Sequence, residues 1–432
     1  GVQDVKTDEH NFSQIIGRDG TEQAFNSRLS GVAGWRVTDT DRAKRELVSL
    51  RDEDVQPRDG LNVELTIDSV IQNILETSLA KALKEHTPRS ITGIVVRPST
   101  GEILAMATLP NYDPNQPETI SPDARDRCIT DVMEPGSTFK IVVVSGALNE
   151  GIVHLNDPFY CEEGHFAYAG RILHDHEPFG ILTTESIITK SSNIGAAKIG
   201  IKLGEGRLYD YAVDYGFGER TGIPLPGEVS GILHPVKDWS KVSIAQIPMG
   251  HGVAVTRLQM AMAICALAND GWLMRPMLVK CLIDRDGHVV EQYAPQRVRQ
   301  VVSDATDKEM IEALKTVVSP DGTAPGAAMK DYVVAGKTGT AQKVENGTYA
   351  SDKYVASFIG FFPADDPQVC ISIVMDEPKE GYYGGQVCGP VFREVAERCA
   401  SYLNIPSDKT LPQQNPLQVV SATRAQNNLR TP

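Results

Sequence analysis

Residues 332–342 read Tyr332-Val333-Val334-Ala335-Gly336-Lys337-Thr338-Gly339-Thr340-Ala341-Gln342. The apolar, β-branched start predicts a strand over Tyr332–Gly336, with the tetrad Lys337-Thr338-Gly339-Thr340 at its end. Two more strand-like runs, Val355–Phe362 and Val369–Met375, follow, and then a helix over 390–403. Upstream, Ile91–Val96 and Ile103–Thr108 read as a hairpin around the turn Pro98–Glu102. Between these ends, about 120–330, the pattern is mostly helical with long loops. Strands from both ends must therefore pair across the helical middle. The expected fold is α/β, a mainly antiparallel sheet flanked by helices, with a helical insertion.

The boundaries follow from changes of pattern. Residues 1–60 are polar, charged and weakly periodic, and read as an appendage. At Leu61 the residues Leu61, Val63, Leu65 and Ile67 begin to alternate with polar ones, a strand signal. Asp68 or Ser69 can cap a following helix that carries Ile71, Ile74, Leu75, Leu79, Ala82 and Leu83 on one face. The main domain is placed at 61–403, and residues 404–432, rich in Gln, Asn, Ser and Pro, read as a disordered tail.

Composition narrows the function. The 432 residues carry a formal net charge of -14, which repels phosphate backbones, so no nucleic-acid partner is expected. The seven cysteines form no Cys-x-x-Cys pair, and their scattered spacing argues against a disulfide scaffold. No run of 18 apolar residues is present, and neither a phosphate loop nor a dinucleotide fingerprint occurs. Cys161, His165, His174, Asp175 and His176 are metal-capable, but their spacing matches no standard site and the His-Asp-His run reads as an exposed loop. No metal and no cofactor are expected.

Three short motifs carry chemistry. Ser137-Thr138-Phe139-Lys140 follows a Pro-Gly turn and leads into the apolar run Ile141–Val144. That places Ser137 at a helix N-terminus, where backbone N–H groups favour developing negative charge, with Lys140 one turn away. A serine needs a base to become a nucleophile, and a desolvated, neutral lysine can be one. Ser191-Ser192-Asn193 offers a hydroxyl in Ser191 to pass a proton, and an amide in Asn193 to hold a carbonyl. Either of these two motifs alone can equally be a helix cap. The Lys337–Thr340 tetrad is rarer, at about one chain in several hundred on average residue frequencies. Lys337 offers charge and Thr338 and Thr340 hydroxyls to a carboxylate, while Gly339 would let an extended substrate lie against the strand. Lys337, at a strand end, is expected to stay charged while the more buried Lys140 loses its proton.

The order Ser-x-x-Lys, Ser-x-Asn, Lys-Thr-Gly is the motif set of penicillin-binding proteins and class A β-lactamases. The chain resembles a class B penicillin-binding protein of the septal, cell-division type. The likeness runs through Leu65–Asp68, Thr100–Met106, Glu134–Lys140, Ala335–Gln342, Phe358–Pro363 and Tyr382–Gly385. Gly250-His251-Gly252 and Val255-Thr256-Arg257-Leu258-Gln259 resemble a segment that usually holds Thr-Pro-Leu-Gln, with Arg257 in the place of the proline. Gly17–Gly34 resembles the end of the family's N-terminal pedestal.

The resemblance implies a penicillin-binding protein/serine β-lactamase-like transpeptidase domain with a helical subdomain and a partial pedestal. It implies a peptidoglycan D,D-transpeptidase in which Ser137 attacks the penultimate D-alanine of a stem peptide ending in D-Ala-D-Ala and expels the last one. The backbone N–H groups of Ser137 and Thr340 would form the oxyanion hole, and β-lactams would acylate the same serine. It further implies a SEDS-type glycosyltransferase and division proteins as partners. The implied location is the periplasmic face of the cytoplasmic membrane, held by a single-pass anchor outside this sequence. Rival functions are a D,D-carboxypeptidase, a silent division scaffold and a β-lactamase. The last lacks support, since no Glu-x-x-x-Asn segment follows Asn193 at a suitable distance and Glu205 is followed by Tyr209.

Overall fold

In a computed structural model the described residues are 3–7, 13–116, 120–121, 124–345 and 347–409. The elements that position the site are, in chain order, α1 (Ser69–His86), β1 (Ser90–Arg97), β2 (Glu102–Leu109), α2 (Lys140–Asn149), α3 (Thr184–Lys190) and α4 (Asn193–Leu203). They continue with α5 (Arg257–Leu267), α6 (Asp304–Thr316), β3 (Ala335–Glu345), β4 (Thr348–Phe362), β5 (Val369–Asp376) and α7 (Gly389–Tyr402).

The five strands form one antiparallel sheet in the order β3-β4-β5-β1-β2. The N-terminal hairpin β1-β2 thus docks on the C-terminal strand β5, as the pairing across the helical middle required. All of β5 is buried, as is the Val355–Phe362 stretch of β4, so these strands read as continuous apolar runs. Among the described residues β3 is an edge strand, paired on one side only.

α1 starts where Asp68 Oδ1 accepts from the amides of Val70 and Ile71, at 2.9 and 3.1 Å. Its buried face is Ile71, Ile74, Leu75, Ser78, Leu79 and Ala82, nearly the face read from the sequence. α1 and α7 pack together against the sheet. α5 also packs on β5 and β1 and is buried along its whole length, begun by a capping box between Thr256 and Gln259. One continuous apolar cluster joins these layers. Among the described residues all seven cysteines are buried free thiols.

Several expectations are corrected. The Leu61–Ile67 strand is real over Asn62–Leu65, but it pairs with Val279–Ile283 in a separate three-stranded sheet, not with the main one. The strand expected over Tyr332–Gly336 instead runs Ala335–Glu345, so Lys337–Thr340 lies within it and not at its end. Cross-strand pairing decides this, because Lys337 to Thr340 face Ile359 to Ala356 of β4. The helical middle also holds short hairpins, such as His165–Tyr168 with Arg171–His174. Residues 404–409 do not belong to a loose tail. The Asp408 carboxylate accepts from the amide of Val333 at 3.0 Å, and Tyr332 Oη donates to the Ile405 carbonyl at 2.6 Å. The rest of the expected tail, 410–432, lies outside the described residues. Residues 3–60 hold two hairpins, Gln3–Thr7 with Ser13–Gly17 and Trp35–Thr40 with Glu46–Val55, and two short helices.

Phe358 of β4 is fully buried and meets the Phe392 ring of α7 edge-on at 4.9 Å. Phe358→Ala is predicted to lower the unfolding free energy by about 3–5 kcal/mol in urea denaturation. A loss below about 1 kcal/mol would contradict this packing.

Candidate active site

Ser137 lies in the one-turn 3-10 segment Gly136–Phe139 that leads straight into α2. Thr138 closes the turn by donating its hydroxyl to the Pro135 carbonyl at 2.7 Å. Residues Lys140 to Leu148 of α2 are all buried, and this draws the Lys140 side chain out of water. Its Nζ lies 2.8 Å from Ser137 Oγ, 2.6 Å from the Ser191 carbonyl, 2.8 Å from Asn193 Oδ1 and 3.2 Å from Ser191 Oγ.

This geometry has a chemical consequence. The Ser191 carbonyl and Asn193 Oδ1 can only accept, so they take two Nζ protons. If the amine is neutral, its lone pair is left for the Ser137 hydroxyl proton. Burial pushes the Lys140 value down from the ordinary lysine range to about 7, against the opposing pull of the Asp175 carboxylate. The neutral form is therefore accessible near pH 7.

Ser191 ends α3 in the left-handed conformation, φ 59°, and so brings its carbonyl and hydroxyl together on Lys140. Its Oγ also receives a hydrogen bond from Lys337 Nζ at 2.9 Å, which makes Ser191 the bridge between the two lysines. Lys337 corrects the sequence reading. It is 0% exposed, inside β3, and burial followed by the neighbouring Lys140 charge pushes its ammonium well below the ordinary lysine value. Burial thus disfavours the charged form of both lysines.

The two threonines differ. Thr338 Oγ1 is 2.8 Å from Thr323 Oγ1, while Thr340 Oγ1 accepts from the amide of Gly384 at 3.1 Å and keeps its own proton to donate. Gly339 is needed for a reason other than the one expected. A Cβ there would stand 2.4 Å from Ser357 Oγ and 3.0 Å from Thr138 Cγ2, so the protein's own turn and strand fill the place assigned to substrate. Gly250, at φ 84°, abuts the Ser137 turn as closely, since a Cβ there would come within 2.1 Å of the Gly136 carbonyl.

The sequence places Asp175 on an exposed loop, and the structure gives it a definite role. Its Oδ2 accepts from Ser192 Oγ at 2.7 Å, and its Oδ1 accepts from the backbone N–H groups of Asn193 and, at 3.2 Å, Ile194. The carboxylate thus anchors the N-terminus of α4 and sets Asn193 facing Lys140. Asn193 Nδ2 donates one proton to the His174 carbonyl at 3.0 Å. Cys161 is buried beneath the same turn, 3.5 Å from Ser192 Oγ. Among the described residues only Asp284, Asp286 and His288 bring three such donors together, on a distant exposed turn. The link from Asp175 to residues 17 to 19 positions later carries no local sequence signal.

All eight residues singled out in the sequence belong to this one cleft region, on the Ser137 turn, the start of α2, the α3–α4 junction and β3. The family model described as the penicillin binding protein transpeptidase domain matches residues 91–397. The chain belongs to the class B penicillin-binding protein transpeptidase family.

Among relatives of this penicillin-binding protein, "Stage V sporulation protein D" of Bacillus subtilis is 35% identical over 87% of this chain and 59% of its own length. A "Probable peptidoglycan D,D-transpeptidase PenA" of Neisseria flavescens is 33% identical over 91% of this chain and 96% of its own length. This chain spans about six tenths to two thirds of the full length of several other relatives, including the Bacillus protein. Among solved structures, the transpeptidase domain of Burkholderia pseudomallei penicillin-binding protein 3 is similar with a TM-score of 0.71 and 35% identity, covering 80% of this chain and 97% of that one. Penicillin-binding protein 3 of Mycobacterium tuberculosis complexed with aztreonam gives 0.77 at 28% identity, covering 94% of this chain and 93% of that one.

Asp175→Asn is predicted to lower the unfolding free energy at pH 7 by about 2 kcal/mol, because charge-assisted bonds to three donors are weakened. An unchanged denaturation midpoint would contradict the anchoring role.

Proposed function

We propose that this chain is the catalytic part of a septal peptidoglycan D,D-transpeptidase that works through a Ser137 acyl-enzyme. The observation that carries the reading is Ser137 Oγ 2.8 Å from the Nζ of a fully buried Lys140. Neutral Lys140 takes the Ser137 proton, and Oγ attacks the carbonyl carbon of the penultimate D-alanine. The oxyanion is received by the backbone N–H groups of Ser137 and Thr340, a type of stabilisation that is often the largest catalytic term.

Collapse breaks the peptide bond, and the departing D-alanine amine takes back a proton from Lys140 through Ser191. The substrate carboxylate sits against Lys337, Thr338 and Thr340. Its arrival supplies the anion that Lys337 lacks and restores the lysine's charge. An acceptor amine from a neighbouring stem then attacks the ester and frees Ser137. Asn193 holds the substrate amide with its remaining N–H.

β-Lactams acylate Ser137 by the same route. The septal role rests on the resemblance and on the penicillin-binding proteins 3 among the similar structures. A SEDS-type glycosyltransferase and division proteins are the proposed partners. The proposed location is the periplasmic face of the cytoplasmic membrane. The main domain is proposed to begin at residue 61, after a partial pedestal, and to include the packed residues 404–409.

Intact-mass analysis after incubation with benzylpenicillin is predicted to show one stable adduct on the wild type and none on Ser137→Ala. Lys140→Arg is predicted to acylate at least about a thousandfold more slowly, since arginine cannot lose its proton at working pH. Wild-type acylation should rise with pH through about 7, as Lys140 becomes neutral. An adduct on Ser137→Ala, or rapid turnover of the drug, would overturn the assignment.

A further inference from the structure

The five-stranded sheet has two edges. β3 borders the cleft, and β2 lies at the other end. Along β2 the outward backbone groups are taken one after another. The Ile103 amide donates to the Met277 carbonyl at 2.9 Å, and the Leu104 carbonyl accepts from the Asp68 amide at 2.9 Å. At Met106 the Gln72 side chain stands in for a neighbouring strand. Its Oε1 accepts from the Met106 amide and its Nε2 donates to the Met106 carbonyl, both at 2.9 Å. Met106 therefore turns both groups away from β1, and the alternation of an antiparallel ladder makes Thr108 do the same. Among the described residues nothing takes the two outward groups of Thr108.

Thr108 opens onto a cavity of about 670 Å³ whose apolar wall includes Leu65, Ile67, Ile129, Leu225 and Leu278. Two carboxylates border the same cavity. Asp126, half-buried, accepts through Oδ1 from the Cys128 amide at 3.0 Å and from Thr108 Oγ1 at 3.4 Å, while its Oδ2 accepts from no described residue. Asp19 accepts from the Gly20 amide at 2.8 Å and from Tyr112 Oη at 3.5 Å. Arg125 borders the cavity too, but its guanidinium is held by Asp131 at 2.6 Å. Burial raises the Asp126 carboxyl above its ordinary range, and a cation beside Oδ2 would oppose that shift.

An open strand edge is completed by an added strand, whose main chain bonds to it and whose side chains enter the neighbouring pockets. We infer that this cavity docks an extended segment of a partner protein, which pairs with β2 at Thr108 and sets a basic side chain on Asp126. The segment's N–H and C=O do at Thr108 what the Gln72 amide does at Met106. Its apolar residues lie against Leu65, Ile67 and Leu278. The docking edge is the one opposite β3, so the partner does not compete with substrate, and the inference stands apart from the proposed reaction.

The test uses the whole chain and a probe, the capped peptide acetyl-Val-Thr-Lys-Val-Thr-amide. Binding is read as slowed hydrogen exchange of the 102–110 segment against peptide concentration. Protection is expected there and not in β3, and it should persist after saturation with benzylpenicillin. Norleucine in place of the probe's lysine should weaken binding at least about tenfold, the scale of a charge-assisted hydrogen bond. A methyl group on the backbone nitrogen of each of the three central residues in turn should abolish binding at one position and spare its neighbour, as pairing along one edge requires.

Asp126→Asn keeps the Oδ1 acceptor and removes the charge, so it should bring the lysine and norleucine peptides to similar affinity. The modified peptides are tested on the wild type as well, which covers the case in which that variant fails to fold. No protection of 102–110 at about 5 mM probe, an affinity weaker than any useful docking, would overturn the inference. So would equal binding of the lysine and norleucine peptides, or an N-methyl series without effect. Loss of protection after benzylpenicillin would place the peptide in the cleft and overturn it too.

Discussion

The site depends on one amine held out of water. Lys140 Nζ sits in a fully buried position with four oxygen atoms within 3.2 Å, contributed by the nucleophile turn and the α3–α4 junction. Two of those oxygens can only accept, so the amine's third substituent position, proton or lone pair, points at Ser137. Desolvation favours the lone pair. The same requirement explains why Ser191 adopts a left-handed backbone and why Asp175 spends its carboxylate on the first amides of α4. Both place acceptors on Lys140 that a solvated lysine would not need.

The second constraint is the seating of the nucleophile turn on an edge strand. Among the described residues β3 is an edge strand, and exposed edges invite unwanted pairing. The turn carrying Ser137 approaches β3 closely enough that Gly339 leaves no room for a Cβ, and Gly250 packs on Gly136 of the same turn just as tightly. Thr138, Pro135 and Gly136 thereby fix Ser137 against the strand, while Lys337 reaches Ser191 from the strand side. The cleft is bounded by rigid elements on each side, which suits a reaction that relies on aimed donors.

Much of this was legible in the sequence, and the unread part has a consistent cause. The three motifs, the hairpin at Ile91–Thr108, the face of α1 and the pairing of terminal strands all rest on local periodicity or on fixed spacing. The errors concern partners distant along the chain. Alternation at Leu61–Ile67 identified a strand but carried no information on its partner, which is Val279–Ile283. The charge state expected of Lys337 assumed a solvent-facing strand end. The register with β4 instead places it inside the sheet, where burial acts on it as on Lys140. Asp175 reads in the sequence as part of an exposed His-Asp-His loop, because a carboxylate capping a helix 18 residues later leaves no local signal. Composition marked residues after 403 as a tail, yet Ile405 and Asp408 are held by backbone groups of residues 332 and 333.

The chemistry proposed for this site requires Lys140 to be a neutral amine near physiological pH. It is tested most directly by NMR titration of the lysine side chains, with the Lys140 signal assigned by its loss in Lys140→Arg. A midpoint at about 7, far below the solvated lysines, is expected. A Lys140 that stays protonated up to pH 9 or beyond would contradict it, because the Ser137 hydroxyl would then face an ammonium that cannot take its proton.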